Sequence, residues 1–132
     1  MARKITIKGV DEEAVGLLPM EEFIKITTSR NRRTLKRLKC NPKLKKFYEK
    51  ISLIRKKNPK KIIKTHIRDA VIIPEMSGLT FSVYNGKEFK RVDITPNKIG
   101  KRLGEFSHTV GRVLHSGPGV GATRGSKHVP LK

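Results

Sequence analysis

The sequence predicts an α+β fold in which helices pack against a small antiparallel sheet and a flexible basic tail follows at the C-terminus. Three observations predict it: a helix signature between Asn41 and Asn58, a hairpin signature at Asn85-Gly86, and a C-terminal stretch rich in glycine. The chain has 132 residues, which is enough for one modest domain with its own core. We therefore expect one globular domain with appendages.

Charge divides the chain into four segments. An N-terminal helical extension, 1–29, has a net charge of −1, and a basic helical region, 30–61, has fifteen basic residues against one acid. An α+β core, 62–106, has a net charge of +3. The flexible basic tail, 107–132, has no acid and holds five of the eleven glycines. The total of +20 predicts a polyanionic partner, because the compact chain otherwise repels itself.

The helices are predicted from caps and from apolar spacing. Asp11-Glu12-Glu13 suits a first helical turn, where acidic groups face the positive end of the helix dipole, and Pro19 suits the first position of a second short helix. Asn41-Pro42 predicts the start of a longer helix that runs to about Lys57 before Asn58-Pro59 stops it. Its apolar residues form one stripe: Leu44, Phe47, Tyr48, Ile51 and Ile54. Its other faces carry cations, and the ratio of fifteen cations to one acid in this region favours a phosphate-binding surface over a merely solvated one: Lys43, Lys45, Lys46, Lys50, Arg55, Lys56 and Lys57.

The sheet is predicted from β-branched runs and one turn. Segments 62–67 and 70–73 read as short strands or extended segments, and 79–84 and 87–94 read as two strands of a hairpin. Asn85-Gly86 between them favours a type I′ turn, whose twist matches antiparallel strands. One face of the hairpin is expected in the core: Leu79, Phe81, Val83, Val92 and Ile94.

A short helix is predicted after the hairpin. Thr95-Pro96 repeats the pattern of a capping residue followed by proline. This helix should run toward Leu103, weakened by Gly100 and Gly104.

Several classes of function are disfavoured. Cys40 is the single cysteine, so no internal disulfide can form, and the four histidines are scattered without metal-ligand spacing. No apolar run reaches about 18 residues and the start lacks a secretory signal, so we expect a protein that neither spans a membrane nor is exported. We expect no metal, no cofactor and no membrane partner, and a single cysteine fits a cytosolic location.

Two motifs with catalytic potential fail closer inspection. The glycine-rich stretch 117–127 places Gly125-Ser126-Lys127 in the wrong order for a phosphate-binding P-loop. His66 and Asp69 lie three residues apart and would point to opposite faces of a strand, so His66 is either an RNA contact or a structural histidine. We therefore expect no enzyme and no catalytic residue. Most aromatic residues fall at predicted core positions, which favours recognition of folded, mostly duplex RNA through its backbone over base stacking.

Several motifs in order resemble one family. They are Ile73-Pro74-Glu75-Met76, Gly78-Leu79-Thr80, Val83-Tyr84-Asn85-Gly86-Lys87, Ile94-Thr95-Pro96, Ile99-Gly100 and Leu103-Gly104-Glu105-Phe106. Together they resemble the core signature of the universal small-subunit ribosomal protein S-nineteen family. The ending resembles the archaeal and eukaryotic branch, through His115-Ser116-Gly117-Pro118-Gly119-Val120-Gly121-Ala122-Thr123-Arg124. The sequence departs from the family at 38–40, where relatives often carry a glycine, and at 110–111, where more basic residues are usual.

The resemblance implies a structural constituent of the cytoplasmic ribosome. The protein would sit in the head of the small subunit on its ribosomal RNA (rRNA), beside the head protein S-thirteen, with its tail directed toward tRNA at the decoding region. The candidate rRNA contacts are Arg30, Arg32, Arg33, Lys36, Arg37, Lys64, Thr65, His66, Arg68, Lys87, Lys101 and Arg102. The candidate tail contacts with RNA or tRNA are Arg112, Arg124, Lys127 and Lys132. The alternatives are a free-standing RNA chaperone or another non-ribosomal nucleic-acid binder, and a small basic nuclease.

Overall fold

A computed structural model of the protein describes residues 6–7 and 9–111, and it confirms the α+β class. The tail residues from Arg112 onward lie outside the described residues. In the described part, no helix is both long enough and apolar enough to cross a membrane. The helices are α1 (Glu12–Val15), α2 (Met20–Ile26), α3 (Ser29–Lys36) and α4 (Pro42–Lys57), and the strands are β1 (Thr6–Ile7), β2 (Val10–Asp11), β3 (Ile63–Thr65), β4 (Thr80–Tyr84) and β5 (Phe89–Asp93).

The longest helix, α4, has the predicted bounds. Its N-cap residue, Asn41, accepts a hydrogen bond through Oδ1 from the Leu44 amide at 3.4 Å, and Pro42 occupies the first turn. The apolar stripe faces the core, with Leu44, Phe47 and Ile51 buried. One detail at an earlier helix was wrong: Pro19 is the extended N-cap residue of α2, and the helix begins at Met20.

The main sheet is mixed, which corrects the prediction of a purely antiparallel sheet. Its order is β3-β4-β5, with β3 parallel to β4 and β4 antiparallel to β5. Parallel neighbours need a long connection, and residues 66–79 supply one through an extended segment and a 3-10 turn, Pro74–Met76. A separate two-stranded antiparallel sheet joins β1 to β2.

The hairpin between β4 and β5 is confirmed, but its turn is not the predicted two-residue type I′. Strand pairing ends at Tyr84 and Phe89, which leaves a four-residue loop. Within it, Asn85 Oδ1 accepts hydrogen bonds from the amides of Lys87 at 2.9 Å and Glu88 at 2.8 Å. Gly86 has φ +102°, a conformation that glycine adopts without strain. Asn85 therefore closes the loop with its side chain, in the manner of an Asx turn, and with its amide, which donates to the Glu88 carbonyl at 3.0 Å.

The centre of the core is a buried extended segment, 70–73, that pairs with the chain near Arg102. Val71 forms an isolated antiparallel bridge with Arg102, and the Ile72 amide donates to the Lys101 carbonyl at 2.8 Å. The short helix predicted after Pro96 is instead two 3-10 turns, Pro96–Lys98 and Leu103–Phe106. Gly100, with φ +83°, separates the two turns, because this left-handed conformation cannot continue a helix.

The core lies between α4, the buried segment 70–73 and the inner face of the sheet. The predicted inward residues of the hairpin are all buried: Leu79, Phe81, Val83, Val92 and Ile94. Among the described residues, every buried side-chain nitrogen or oxygen has a hydrogen-bond partner.

Candidate nucleic-acid interface

Two cation-lined clefts lie beside α4. The first, the arginine cleft, has a volume of about 390 Å³ and lies between α3, the start of α4 and Arg102. Its lining residues are Arg30, Arg33, Thr34, Arg37, Cys40, Asn41, Leu44, Asp69 and Arg102. Four guanidinium groups therefore surround one cleft that contains a single carboxylate.

Helix α3 presents its arginines by helical spacing. Arg30 and Arg33 lie three residues apart on one face of α3, Arg37 follows as the C-cap residue at i+7, and all three are exposed. Asn31 and Leu35 lie on the other side of the helix and are buried. The sequence thus produces an amphipathic helix whose polar face is a row of arginines.

Asn31 fixes this helix to the core. Its Nδ2 donates to the Gly100 carbonyl at 2.7 Å, and its Oδ1 accepts from Arg102 Nε at 3.0 Å. Arg102 also donates through Nη2 to Thr34 Oγ1 at 3.1 Å. These bonds hold Arg102 in place at the rim of the arginine cleft and set the orientation of α3.

The second cleft, the lysine cleft, has a volume of about 340 Å³ and lies between α4 and β3. Its lining residues are Lys43, Lys46, Phe47, Lys50, Ile51, Ile63, Lys64, Thr65, His66 and Ile67. Lys43, Lys46 and Lys50 again stand at i, i+3 and i+7 along one helix face. Apolar side chains and ammonium groups both line this cleft. It therefore suits an anionic ligand that also carries apolar groups.

Few carboxylates neutralise these cations. The structure contains two salt bridges within the described ranges, Lys45 with Glu49 at 4.0 Å and Arg91 with Asp93 at 3.2 Å. Both pairs are exposed and neither lines a cleft, so they add little to stability, and no lysine or arginine of the clefts forms a salt bridge among the described residues. The clefts therefore form concentrated positive surfaces that attract a polyanion.

Arg68, a candidate RNA contact, lies inside the protein's own hydrogen-bond network. Its guanidinium donates to the carbonyls of Tyr84 at 2.6 Å, Gly104 at 3.0 Å and Ser107. We call this set the Arg68 clamp. It joins the end of β4 to the last 3-10 turn, and Ser107, the first residue of the segment predicted as a tail, is fully buried there. The chain thus leaves the core after Ser107.

Close packing of the backbone surrounds the Arg68 clamp. The Gly104 amide donates to the Arg68 carbonyl at 2.8 Å. A Cβ atom at Gly104 would lie 3.0 Å from that carbonyl oxygen, which is tighter than most Cβ contacts, so the backbone of Arg68 would have to shift by a few tenths of an ångström. Glycine is therefore favoured at this position by proximity rather than by conformation.

Arg32 and Thr65 also make internal bonds. Arg32 donates to the carbonyls of Ile24 at 3.1 Å, Lys25 at 2.7 Å and Thr27 at 3.2 Å, where it caps the C-terminal end of α2. Thr65 is buried, and its Oγ1 accepts from the Ile67 amide at 3.0 Å. Both remain predicted RNA contacts, although Arg32 Nε and Nη2 and the Thr65 oxygen already make intramolecular hydrogen bonds.

The remaining candidates are dispersed. Lys36 is exposed at the end of α3, Lys87 is exposed in the hairpin loop, and Lys101 is exposed near Phe106. Lys64 and His66 belong to the lysine cleft. The four tail candidates lie outside the described residues.

Sequence reasoning omitted two features from the candidate site. Lys43, Lys46 and Lys50 are absent from the individual candidate contacts, although their i, i+3, i+7 spacing already placed them on one face of α4. Tyr84 and Phe89 are also absent from the candidate contacts, and they lie with His66 on the outer face of the sheet. The strand register could have shown this, because residues of a strand alternate between faces.

The fold and its clefts define a small basic α+β protein suited to a polyanionic ligand. Residues 33–115 match the profile of the family described as Ribosomal protein S19. Two similar relatives are each described as "Small ribosomal subunit protein uS19" and come from two strains of Methanococcus maripaludis. They are 45% and 44% identical to this chain over 129 residues, covering 95% of this chain and 80% of each relative. The chain belongs to the ribosomal protein S19 family.

Proposed function

We propose that this protein is a structural, non-catalytic constituent of the small ribosomal subunit in the cytoplasm, where it binds small-subunit rRNA. Membership of the family supports a ribosomal role, and the names of both relatives place those proteins in the small subunit. The net charge of +20 supports a polyanionic partner.

One observation carries the proposal: the two clefts beside α4 are lined by eight lysine and arginine residues and by one aspartate. Arginine's planar fork can hold a phosphate through two parallel hydrogen bonds, while lysine acts as a movable point charge. Contacts of this kind fix a protein on RNA through its backbone, without reading base identity.

The role of the arginine cleft can be tested with a charge-matched pair of variants. In the first variant, Arg30, Arg33 and Arg37 are changed to Gln; in the control, Lys56, Lys57 and Lys60 are changed to Gln. Affinity for a small-subunit rRNA fragment is measured by filter binding from about 50 to 200 mM salt. If each arginine neutralises one phosphate, the slope of log affinity against log salt becomes shallower by roughly 3 in the first variant.

The control variant loses the same formal charge from the exposed end of α4 and the residues after it. We expect its slope to stay close to that of the unchanged protein. Equal slopes for the two variants would contradict a dedicated phosphate site in the arginine cleft, and an affinity insensitive to salt would contradict phosphate binding altogether.

The finer placement rests on the family resemblance. We propose that the protein lies in the subunit head beside protein S-thirteen, and that its tail contacts tRNA near the decoding region through Arg112, Arg124, Lys127 and Lys132. A chain ending at Gly111 should still enter the subunit, as measured by co-sedimentation after a moderate-salt wash, and should weaken tRNA binding. Failure of this truncated chain to enter the subunit would contradict the proposed division between anchored body and tail. Chemical cross-linking to S-thirteen tests the neighbour.

A further inference from the structure

Three aromatic rings form a cluster on the outer face of the sheet, which we call the aromatic patch. The ring centroids of His66 and Tyr84 are 4.8 Å apart, and those of Phe89 are 5.1 Å from each of the other two. Phe89 is 37% exposed, His66 is exposed, and Tyr84 is partly buried. The rings are therefore packed against one another and still meet solvent.

Strand pairing and one hydrogen bond hold the aromatic patch in place in the absence of a ligand. Tyr84 and Phe89 are the last residue pair of the hairpin, and His66 directly follows β3, which pairs with β4. The Tyr84 hydroxyl donates to the Gly86 carbonyl at 2.7 Å, which fixes this ring against the loop. A ligand would meet rings that are already ordered, so it would cost little further side-chain entropy to bind.

The aromatic patch is continuous with the lysine cleft. His66 contributes to both, and Lys64, which lines the cleft, places its Nζ 5.8 Å from the Phe89 ring centroid. The cleft continues from there to Lys43, Lys46 and Lys50 on α4. An aromatic surface and a group of cations thus lie side by side, as a site for the base and the phosphates of a nucleotide requires.

We propose that the aromatic patch stacks an unpaired base of RNA while the lysine cleft holds the adjacent phosphates. This rests on the proposed function in one respect, that the ligand is RNA. A base inside a duplex has both faces covered by its neighbours, so the occupant is a nucleotide in a loop, bulge or end. The surrounding lysines favour this anionic occupant over an apolar peptide. The sequence predicts recognition of mostly duplex RNA, and the aromatic patch adds to it a contact with a single-stranded nucleotide.

The test compares two RNA octamers that differ in their bases alone. One is eight adenosines, and the other carries abasic riboses at all eight positions with the same number of phosphates. We expect the unchanged protein to bind the first octamer roughly fivefold or more tightly, because stacking on an aromatic side chain strengthens binding by about that factor or more. Phe89→Leu should abolish this ratio, and Phe89→Tyr should preserve it.

Phe106 provides a matched control. It is a partly buried phenylalanine whose ring has Lys98 and Lys101 nitrogens at 5.3 and 5.9 Å from its centroid, but it lies outside the aromatic patch. Phe106→Leu should therefore keep the ratio. Thermal unfolding of each variant checks that the fold is retained, and His66→Ala provides a second change in the patch that leaves the hairpin intact.

A direct readout accompanies the affinities. Adding the adenosine octamer should shift the ring proton resonances of His66 and Phe89 upfield, and the abasic octamer should shift them far less. Equal affinity of the unchanged protein for both octamers, or an undiminished ratio in Phe89→Leu, would overturn the stacking inference. If salt-dependent binding to the rRNA fragment persisted in that case, the proposed function would stand; loss of all RNA binding by the unchanged protein would overturn both.

Discussion

Replacing Arg68 with lysine should destabilise the protein while sparing its RNA contacts. The Arg68 guanidinium donates to the Tyr84 carbonyl at the end of β4 and to the Gly104 and Ser107 carbonyls in and after the last 3-10 turn. A lysine keeps the charge, but its compact ammonium cannot span the three acceptors. If it keeps one bond and loses two, at about 1.5 kcal/mol each for a partly buried charged donor, the cost is about 3 kcal/mol.

The assay is urea unfolding followed by circular dichroism. With a slope of about 1–3 kcal/mol per molar urea for a small protein, the midpoint of Arg68→Lys should fall by about 1–3 M. The matched control is Arg33→Lys, because Arg33 is exposed on α3 and lines the arginine cleft. Its unfolding free energy should stay within about 0.5 kcal/mol of the unchanged protein.

The two substitutions should affect RNA binding in the opposite order to their effects on stability. Arg33→Lys should weaken binding to the rRNA fragment, because lysine loses the bidentate fork, while folded Arg68→Lys should bind normally. An unchanged midpoint in Arg68→Lys would refute the reasoning about the clamp. Lost RNA binding at unchanged stability would show that Arg68 is a direct RNA contact, as its sequence position alone predicts.

Two further changes test the core and the hairpin. Tyr48→Phe removes a hydroxyl that donates to the Val71 carbonyl at 2.9 Å and accepts from its amide at 3.0 Å, so the free energy of unfolding in urea should fall by about 1–3 kcal/mol. Burial raises the pKa of the Tyr48 hydroxyl above its ordinary value of about 10, so the stability that the neutral hydroxyl contributes is complete below that pH and is lost as pH rises above it. Between pH 9 and 11, the melting temperature of Tyr48→Phe should therefore fall less than that of the unchanged protein. An identical fall in the two proteins would contradict this. Gly86→Val should lower the unfolding free energy by about 1 kcal/mol or more, because Gly86 has φ +102° and a β-branched residue resists it; an unchanged thermal midpoint would show that the loop adapts.

Local signals predicted the parts of the fold that local chemistry determines. Asn41-Pro42 and Asn58-Pro59 set the bounds of α4, and the alternation around Asn85 predicted the hairpin and its buried face. The parallel pairing of β3 with β4 depends on the path of the chain between them, which no local pattern encodes. The loop type was missed because the Asn85 side chain, rather than backbone geometry alone, closes the turn.

The charge pattern alone could not show which arginines of the candidate interface line a cleft and which make internal hydrogen bonds. Arg32 and Arg33 are adjacent, yet Arg32 caps α2 and Arg33 lines a cleft. Helical phase could have separated them, since Arg33 shares a face with Arg30 and Arg37. Helical phase could not have predicted the internal hydrogen bonds of Arg68, because their acceptors lie 16 to 39 residues away along the chain.

Hydroxyl-radical footprinting of small-subunit rRNA, with and without the protein, tests most directly the claim that the protein binds this RNA through its cation-lined clefts. RNA from Methanococcus maripaludis, the source of the two relatives, is a suitable probe. We expect the protein to protect backbone positions within one confined region, and the variant with Arg30, Arg33 and Arg37 changed to Gln to lose part of that protection. The control with Lys56, Lys57 and Lys60 changed to Gln should retain it. Absent protection, protection spread evenly along the RNA, or an identical footprint from both variants would contradict the account.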